Sequence, residues 1–216
     1  GFIDATRQRL SLIPASPGGR STVVLPSYNG ARKLPLLTPL LAQLLVERGL
    51  RVVIHGLPLD PGRTTSAEVL TALSLPWCDH PSGVRDERVN FLPIERMSAG
   101  LRRLLDVRRV VGLRNSAHSL VKLVNPCAER ALVVGSYTHP EYLLSMSQTY
   151  SLIQADALLS RGIEGEAVAD ARRLQQIDAF IGGQAVRLQQ AQSGPIASLP
   201  DWPKDIDAAS IARYTE

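Results

Sequence analysis

Lysine is scarce in this chain: Lys33, Lys122 and Lys204 are the only three, so 21 of the 24 basic residues are arginine. Arginine's planar fork grips phosphate and stacks on bases, which suits nucleic acid; codon bias in a GC-rich genome produces the same excess. Aromatic residues make up only 5% of the sequence, which keeps stacking a minor part of any recognition. Cysteine is limited to Cys78 and Cys127, far apart and with no His or Cys at metal-ligand spacing, which excludes a zinc ribbon and a disulfide scaffold. Both read as buried, reduced thiols. Long apolar runs are missing too: Leu34 to Val46 is broken by Pro35, Thr38, Pro39 and Gln43, so no membrane span or membrane partner is expected. Without a visible signal peptide or lipidation motif, the expected location is the cytoplasm. The chain opens without Met, inside a predicted helix, as a piece of a longer protein would.

What is present fits a globular α/β protein. The 216 residues are 44% hydrophobic, with 20 acidic residues against the 24 basic ones, which suits one domain or a large domain with a small appendage. Ser21 to Leu25 is a β-branched run that stops at Pro26, Leu36 to Glu47 reads as a helix ended by Gly49, and Arg51 to His55 is a second buried strand. Thr64 or Thr65 can cap a helix through Leu73, with Glu68 completing a capping box. This strand and helix alternation predicts a sheet, parallel here. Two helices follow, Ser98 to Val111 and Ser116 to Val124, with Phe91 and Leu92 as a short strand before them. The alternation resumes with Ala131 to Val134, a helix over Pro140 to Ile153, and a strand over Ala157 to Leu159. Gly182-Gly183-Gln184 suggests a hairpin, Ser193 to Pro203 a linker, and Ile206 to Tyr214 a last helix.

Charge is segregated along this pattern. From Arg85 to Lys122 there are nine basic and four acidic residues, a net of +5, so the total of +4 leaves −1 for everything else. Such a concentration is the footprint of phosphate recognition or of a solvated helix face. The loop Ser27-Tyr28-Asn29-Gly30-Ala31-Arg32-Lys33 joins a strand to a helix, where α/β folds place ligands. It can cradle phosphate or be a plain turn, but it has neither the dinucleotide nor the Walker glycine spacing. His55 ends a buried strand and is the most suggestive of four isolated histidines. Glu164 and Glu166 follow a strand and can face one pocket as metal ligands, as acid and base, or as part of a polar loop.

Five ordered stretches carry a more specific signal: PSYNGARK (Pro26 to Lys33), VIHG with DPGRTTSAEVL (Val53 to Leu70), LRNSAHSLVKL (Leu113 to Leu123), SYTHPEY (Ser136 to Tyr142) and RGIEGE (Arg161 to Glu166). Together they resemble the DNA-binding, TrpD-like (YbiB-type) branch of the anthranilate phosphoribosyltransferase superfamily, glycosyltransferase family 3. The resemblance implies a nucleoside phosphorylase/phosphoribosyltransferase-type α/β sheet flanked by helices, with a small helical domain and assembly as a homodimer. Residues 1–20 then correspond to the end of the small domain and a linker, and 21–216 to the α/β domain. Residues 98–124 form an excursion that packs toward the small domain.

In the enzymes of that superfamily, a glycine-rich loop ending in an acid holds the pyrophosphate of phosphoribosyl pyrophosphate. Here the corresponding loop has one glycine and no acid. Leu57 and Pro58 stand where an Asn and an Arg follow His-Gly, and the Mg²⁺-binding Asp-Glu pair becomes Gly165-Glu166. The resemblance therefore implies a vestigial donor pocket of Ser27, Tyr28, Asn29, Gly30, His55, Gly56, Thr65, Ser66, Asn115, His118, Glu164 and Glu166, with no catalytic residue and no cofactor. It implies nucleic-acid binding, to single-stranded or non-specific DNA, along Arg32, Lys33, Arg102, Arg103, Arg108, Arg109, Arg114 and Lys122. Tyr28 and His118 are the expected stacking groups. The alternatives are an active phosphoribosyltransferase using Mg²⁺ on Glu164 and Glu166 with His55 on the substrate, or a scaffold whose dimer surface binds protein.

Overall fold

The structure, a computed structural model, describes residues 1–170, 172–194 and 201–216. Among the described residues, fifteen helices and strands alternate much as the sequence predicts. They are α1 (Phe2–Arg7), β1 (Thr22–Ser27), α2 (Thr38–Glu47), β2 (Arg51–Gly56), α3 (Ser66–Ala72), β3 (Val89–Pro93), α4 (Ile94–Met97), α5 (Ala99–Val111) and α6 (Ala117–Leu123), then β4 (Leu132–Tyr137), α7 (Pro140–Leu152), β5 (Ala157–Arg161), β6 (Ile177–Ile181), β7 (Gln184–Gln189) and α8 (Ala208–Thr215). The strands form one seven-stranded sheet in the order β3-β2-β1-β4-β5-β6-β7. The first five are parallel, while β6 and β7 are the antiparallel hairpin expected around Gly182-Gly183. The linker predicted over 193–203 falls partly outside the described residues.

Strand alternation builds two cores. Val24 and Val53 point to one face, where Leu101, Leu105, Val121 and Met97 from α4, α5 and α6 cover them. Val23, Leu25, Val52 and Ile54 point to the other, against α2 and α3. The helical excursion is thus one layer of the sheet's own packing. On α5, Leu104, Val107, Val110 and Val111 stay exposed, as does Leu113 just after it. Among the described residues no helix is long and apolar enough to cross a membrane.

Proline did not stop β1. Pro26 is paired with His55 of β2 and the strand runs on to Ser27. The β4 register covers only Val23 and Val24, so Pro26 sits where β1 has a partner on one side, and its missing N–H interrupts no ladder there. Carrying the strand to Ser27 also brings Gly56 so near that a Cβ there would lie 1.9 Å from the Ser27 carbonyl oxygen; only glycine lets the two strand ends close. Strand order reverses between β1 and β4, and that crevice at the carboxyl ends is where such sheets bind ligands.

Candidate functional site

Backbone donors of the loop after β1 are already spent on acids. Glu166, fully buried, accepts the N–H groups of Asn29 (2.7 Å) and Gly30 (3.0 Å) on Oε1, and the Thr38 hydroxyl (3.4 Å) on Oε2. Glu164 accepts those of Lys33 (2.8 Å) and Leu34 (3.1 Å), and Ala31 donates to the Thr64 carbonyl at 2.8 Å. Asn29 closes the joint from its side: its amide donates to the carbonyls of Glu164 and Gly165. Gly165 has φ +78 and a Cβ there would lie 2.2 Å from Asn29 Nδ2, so no side chain at 165 coexists with Asn29 in this place. These two carboxylates meet backbone amides rather than one another, and do not fit a divalent cation. Among the described residues no cluster of three or more His, Cys, Asp and Glu is placed to hold a metal.

Cations surround this joint. Arg63 donates to the Asn29 carbonyl (2.8 Å), Arg114 to Asn29 Oδ1 (3.1 Å), and Lys122 to the Gly165 carbonyl (2.9 Å). Neither Arg63, Arg114 nor Lys122 has a carboxylate within ion-pair distance among the described residues, whereas Arg108 pairs loosely with Asp60 at 3.6 Å. Burial, with Arg114 and Arg63 nearby, pushes Lys122 down to about 8, against the pull of Glu166. Burial likewise lowers Arg114, helped by Arg108 and Arg63. Uncompensated positive charge of this kind favours an anion.

Arg114, Lys122 and Arg108 open onto two hollows that meet at His118. The larger, about 690 Å³, lies between the Arg114–Leu123 segment and the end of β4 with α7; Asn29, Arg114, Lys122, Ser136, Tyr137 and Tyr142 are in its wall. The smaller, about 200 Å³, runs between α5 and the loop after β2, past Arg108, Arg109 and Leu57. His118 is half-buried, and burial followed by Arg114, Arg108 and Lys122 keeps its imidazole below the ordinary value, against one Asn115 backbone bond.

Several predicted residues lie elsewhere than the sequence suggests. Tyr28 is 6% exposed and its hydroxyl sits 2.7 Å from His55 Nδ1, with the rings edge-on, so it offers no stacking face to an exposed base. His55 is fully buried and cannot meet a substrate. Ser27 and Ser66 bond to each other at 2.7 Å beneath the loop, Thr65 caps α3, and Asn115 holds the turn into α6. Of the expected donor-pocket set, Asn29, Asn115 and His118 reach the larger hollow. The arginine stripe also divides. Arg102 is held by Glu95 and Asp106, and Arg109 by the same Asp106. Arg103 lies about 200° around α5 from buried Leu101, on the outer side. Arg32 and Lys33 are exposed and are in the wall of neither hollow.

Burial of His55 has a measurable consequence. Desolvation pushes its imidazole down to about 3. The folded chain refuses a proton that the unfolded chain accepts below about 6.5, so stability is undiminished by His55 above that value and falls progressively as pH drops toward 3. At pH 5 it has fallen by about 2 kcal/mol. Urea unfolding at pH 7 and pH 5 should show that drop, and a His55→Gln variant should show a smaller one.

Arg63, Thr138, His139 and Tyr142 were missed as site residues. Arg63 follows Gly62 in what reads as a turn, and the others sit in SYTHPEY, whose helix-starting Pro140 was the visible signal.

No family model matches the chain. It is 37% identical over 183 residues to an uncharacterized Escherichia coli (strain K12) protein, YbiB, covering 82% of this chain and 57% of that one. Among solved structures it is similar to anthranilate phosphoribosyltransferase (TrpD) from Thermus thermophilus, with a TM-score of 0.70, 24% identity, and coverage of 99% of this chain and 65% of that one. The Saccharomyces cerevisiae anthranilate phosphoribosyltransferase in complex with PRPP and Mg matches at a TM-score of 0.66, 13% identity, and coverage of 99% and 60%. The chain thus spans less than two thirds of the length of each of these relatives. Its seven-stranded sheet, flanked by helices, has the anthranilate phosphoribosyltransferase (TrpD) fold.

Proposed function

We propose that this chain binds nucleic acid through its phosphates, without regard to sequence, and does not transfer phosphoribosyl groups. The observation that carries the proposal is the state of the loop after β1. Its N–H groups at Asn29, Gly30, Ala31, Lys33 and Leu34 all have internal acceptors. A diphosphate held by a backbone cradle would have to displace Glu166 and Glu164, and would be repelled by both. Side-chain cations remain on offer: Arg63, Arg114 and Lys122 at the joint, Arg108 along the smaller hollow, and the exposed Arg32 and Lys33 of the loop after β1. Contacts of that kind grip a backbone without reading bases.

Affinity is then dominated by counterion release and falls steeply with salt. For single-stranded DNA, each lost phosphate contact lowers the slope of log affinity against log salt by about 0.7. An Arg114→Ala, Lys122→Met double variant should lower it by about 1.4, read by fluorescence anisotropy with labelled oligonucleotides; an unchanged slope would show that neither residue touches phosphate. Calorimetry with phosphoribosyl pyrophosphate and Mg²⁺ tests the rival transferase. Micromolar binding there would overturn the proposal. The exposed Leu104, Val110 and Val111 on α5, with Leu113 just after it, support assembly as a homodimer, which sedimentation of the protein would check.

A further inference from the structure

With Tyr28 turned inward and His118 half-buried on the cations' side, a further stacking face lies across the larger hollow from them. His139 and Tyr142, at the start of α7, form a tilted ring pair with centroids 6.3 Å apart, and Tyr142 is 47% exposed. Both line the hollow whose other wall carries Arg114 and Lys122. Its volume of about 690 Å³ falls in the range of small-molecule sites.

The hydrogen-bond inventory separates lining groups that hold the protein together from those left for a ligand. Ser136 is spent on the Gly165 carbonyl, Ser145 on that of Tyr142, Thr149 on that of Ser145, and Asn115 on the turn into α6. The side chains of Thr138, His139 and Tyr142 make no hydrogen bond among the described residues. An aromatic platform, unspent donors and acceptors beside it, and cations facing it are the parts needed for one nucleotide: phosphate on Arg114 and Lys122, base against the rings.

We infer that the hollow between α6 and α7 is a subsite for a single unstacked nucleotide of a bound strand, with the base stacked on Tyr142 and the tilted His139 ring against its edge. This rests on the nucleic-acid reading above and adds where a base goes. Stacking on an aromatic tolerates any base, so the subsite favours single strands over duplex without conferring sequence preference. Duplex bases, already stacked and paired, cannot enter.

The test compares a thymidine dodecamer with a dodecamer of the same sugar-phosphate backbone lacking bases, each titrated with the wild-type protein and with Tyr142→Ala. Tyr142 is a surface residue of α7, and Tyr142→Phe, which keeps the ring, serves as the control. The expected result is that Tyr142→Ala weakens thymidine dodecamer binding about tenfold, leaves the abasic strand unchanged, and that Tyr142→Phe restores binding. A 2-aminopurine placed in the strand should be quenched by wild type and stay bright with Tyr142→Ala. Equal affinity of wild type for the two strands, or equal weakening of both by Tyr142→Ala, overturns the subsite while leaving phosphate binding intact. If neither strand binds, the nucleic-acid reading itself falls and the subsite with it.

Discussion

Replacing Glu166 with alanine should destabilise the protein by about 3–5 kcal/mol and open the loop after β1. Three donors converge on this buried carboxylate: the N–H groups of Asn29 and Gly30 and the Thr38 hydroxyl. Bonds to an ionised acceptor contribute about 1.5–3 kcal/mol each, and stranding their donors in a buried place costs desolvation besides. Glu166→Gln keeps one carbonyl oxygen for the two amides and should lose less than half as much. Urea unfolding gives both values, and amide exchange at Asn29 and Gly30 should speed up in the alanine variant alone. The same change carries a functional consequence. Once Glu166 is gone, the vacated amides are free for an anion, and calorimetry should detect inorganic pyrophosphate binding that wild type lacks. Retained stability would mean that Asn29 and Gly165 hold the loop without Glu166; pyrophosphate binding by wild type would mean that the acid was never an obstacle.

The architecture was legible because its signals are local. Thr65 and Glu68 do form the capping box, and the helix expected from Ser98 to Val111 is present, with Ser98 as its cap and Gly112 ending it in the left-handed region. The β-branched runs of β1 and β2 marked the central strands, and their order of strand then helix placed a site at the loop after β1. The interior of that site was not legible, because its bonds join residues more than 130 apart: Asn29 with Glu166, Lys33 with Glu164. A tyrosine next to Asn29-Gly30 looks exposed in sequence, and only the fold turns it onto His55. The division of the arginines is different. Arg102 with Asp106, and Asp106 with Arg109, stand four and three residues apart on one helix, so their pairing was readable from spacing alone. What remained hidden was that Arg63, from a separate loop, joins Arg114 at Asn29.

The second large effect should come from the opposite end of the strands. Arg51 opens β2 with its side chain 1% exposed, its Nε 3.2 Å from Asp86 and its Nη1 2.8 Å from the Pro14 carbonyl and 3.8 Å from Glu129. The Arg51–Asp86 contact is ionic without hydrogen-bond geometry at that oxygen, while the other Asp86 oxygen accepts the Ser16 hydroxyl and the Gly18 N–H. The network therefore ties residues 14–18 to β2 and to the turns holding Asp86 and Glu129. Arg51→Ala should cost about 3–5 kcal/mol, since it leaves facing carboxylates without their buried counter-charge. Asp86→Asn made together with it should cost less than the two changes added, because their interaction is then counted once. Burial raises the Asp86 carboxyl, but the Ser16 and Gly18 bonds and the Arg51 and Arg20 charges prevail and hold it below its ordinary value. That part of the stability is present above the usual carboxylate range and disappears as pH falls through the lower folded value, so acid unfolding should begin at higher pH in Arg51→Ala. Single-stranded DNA affinity measured well below the variant's melting temperature should be unchanged, because Arg51 lies at the amino ends of the strands and the groove at their carboxyl ends. A loss of affinity with stability intact would show that the two ends of the strands are coupled.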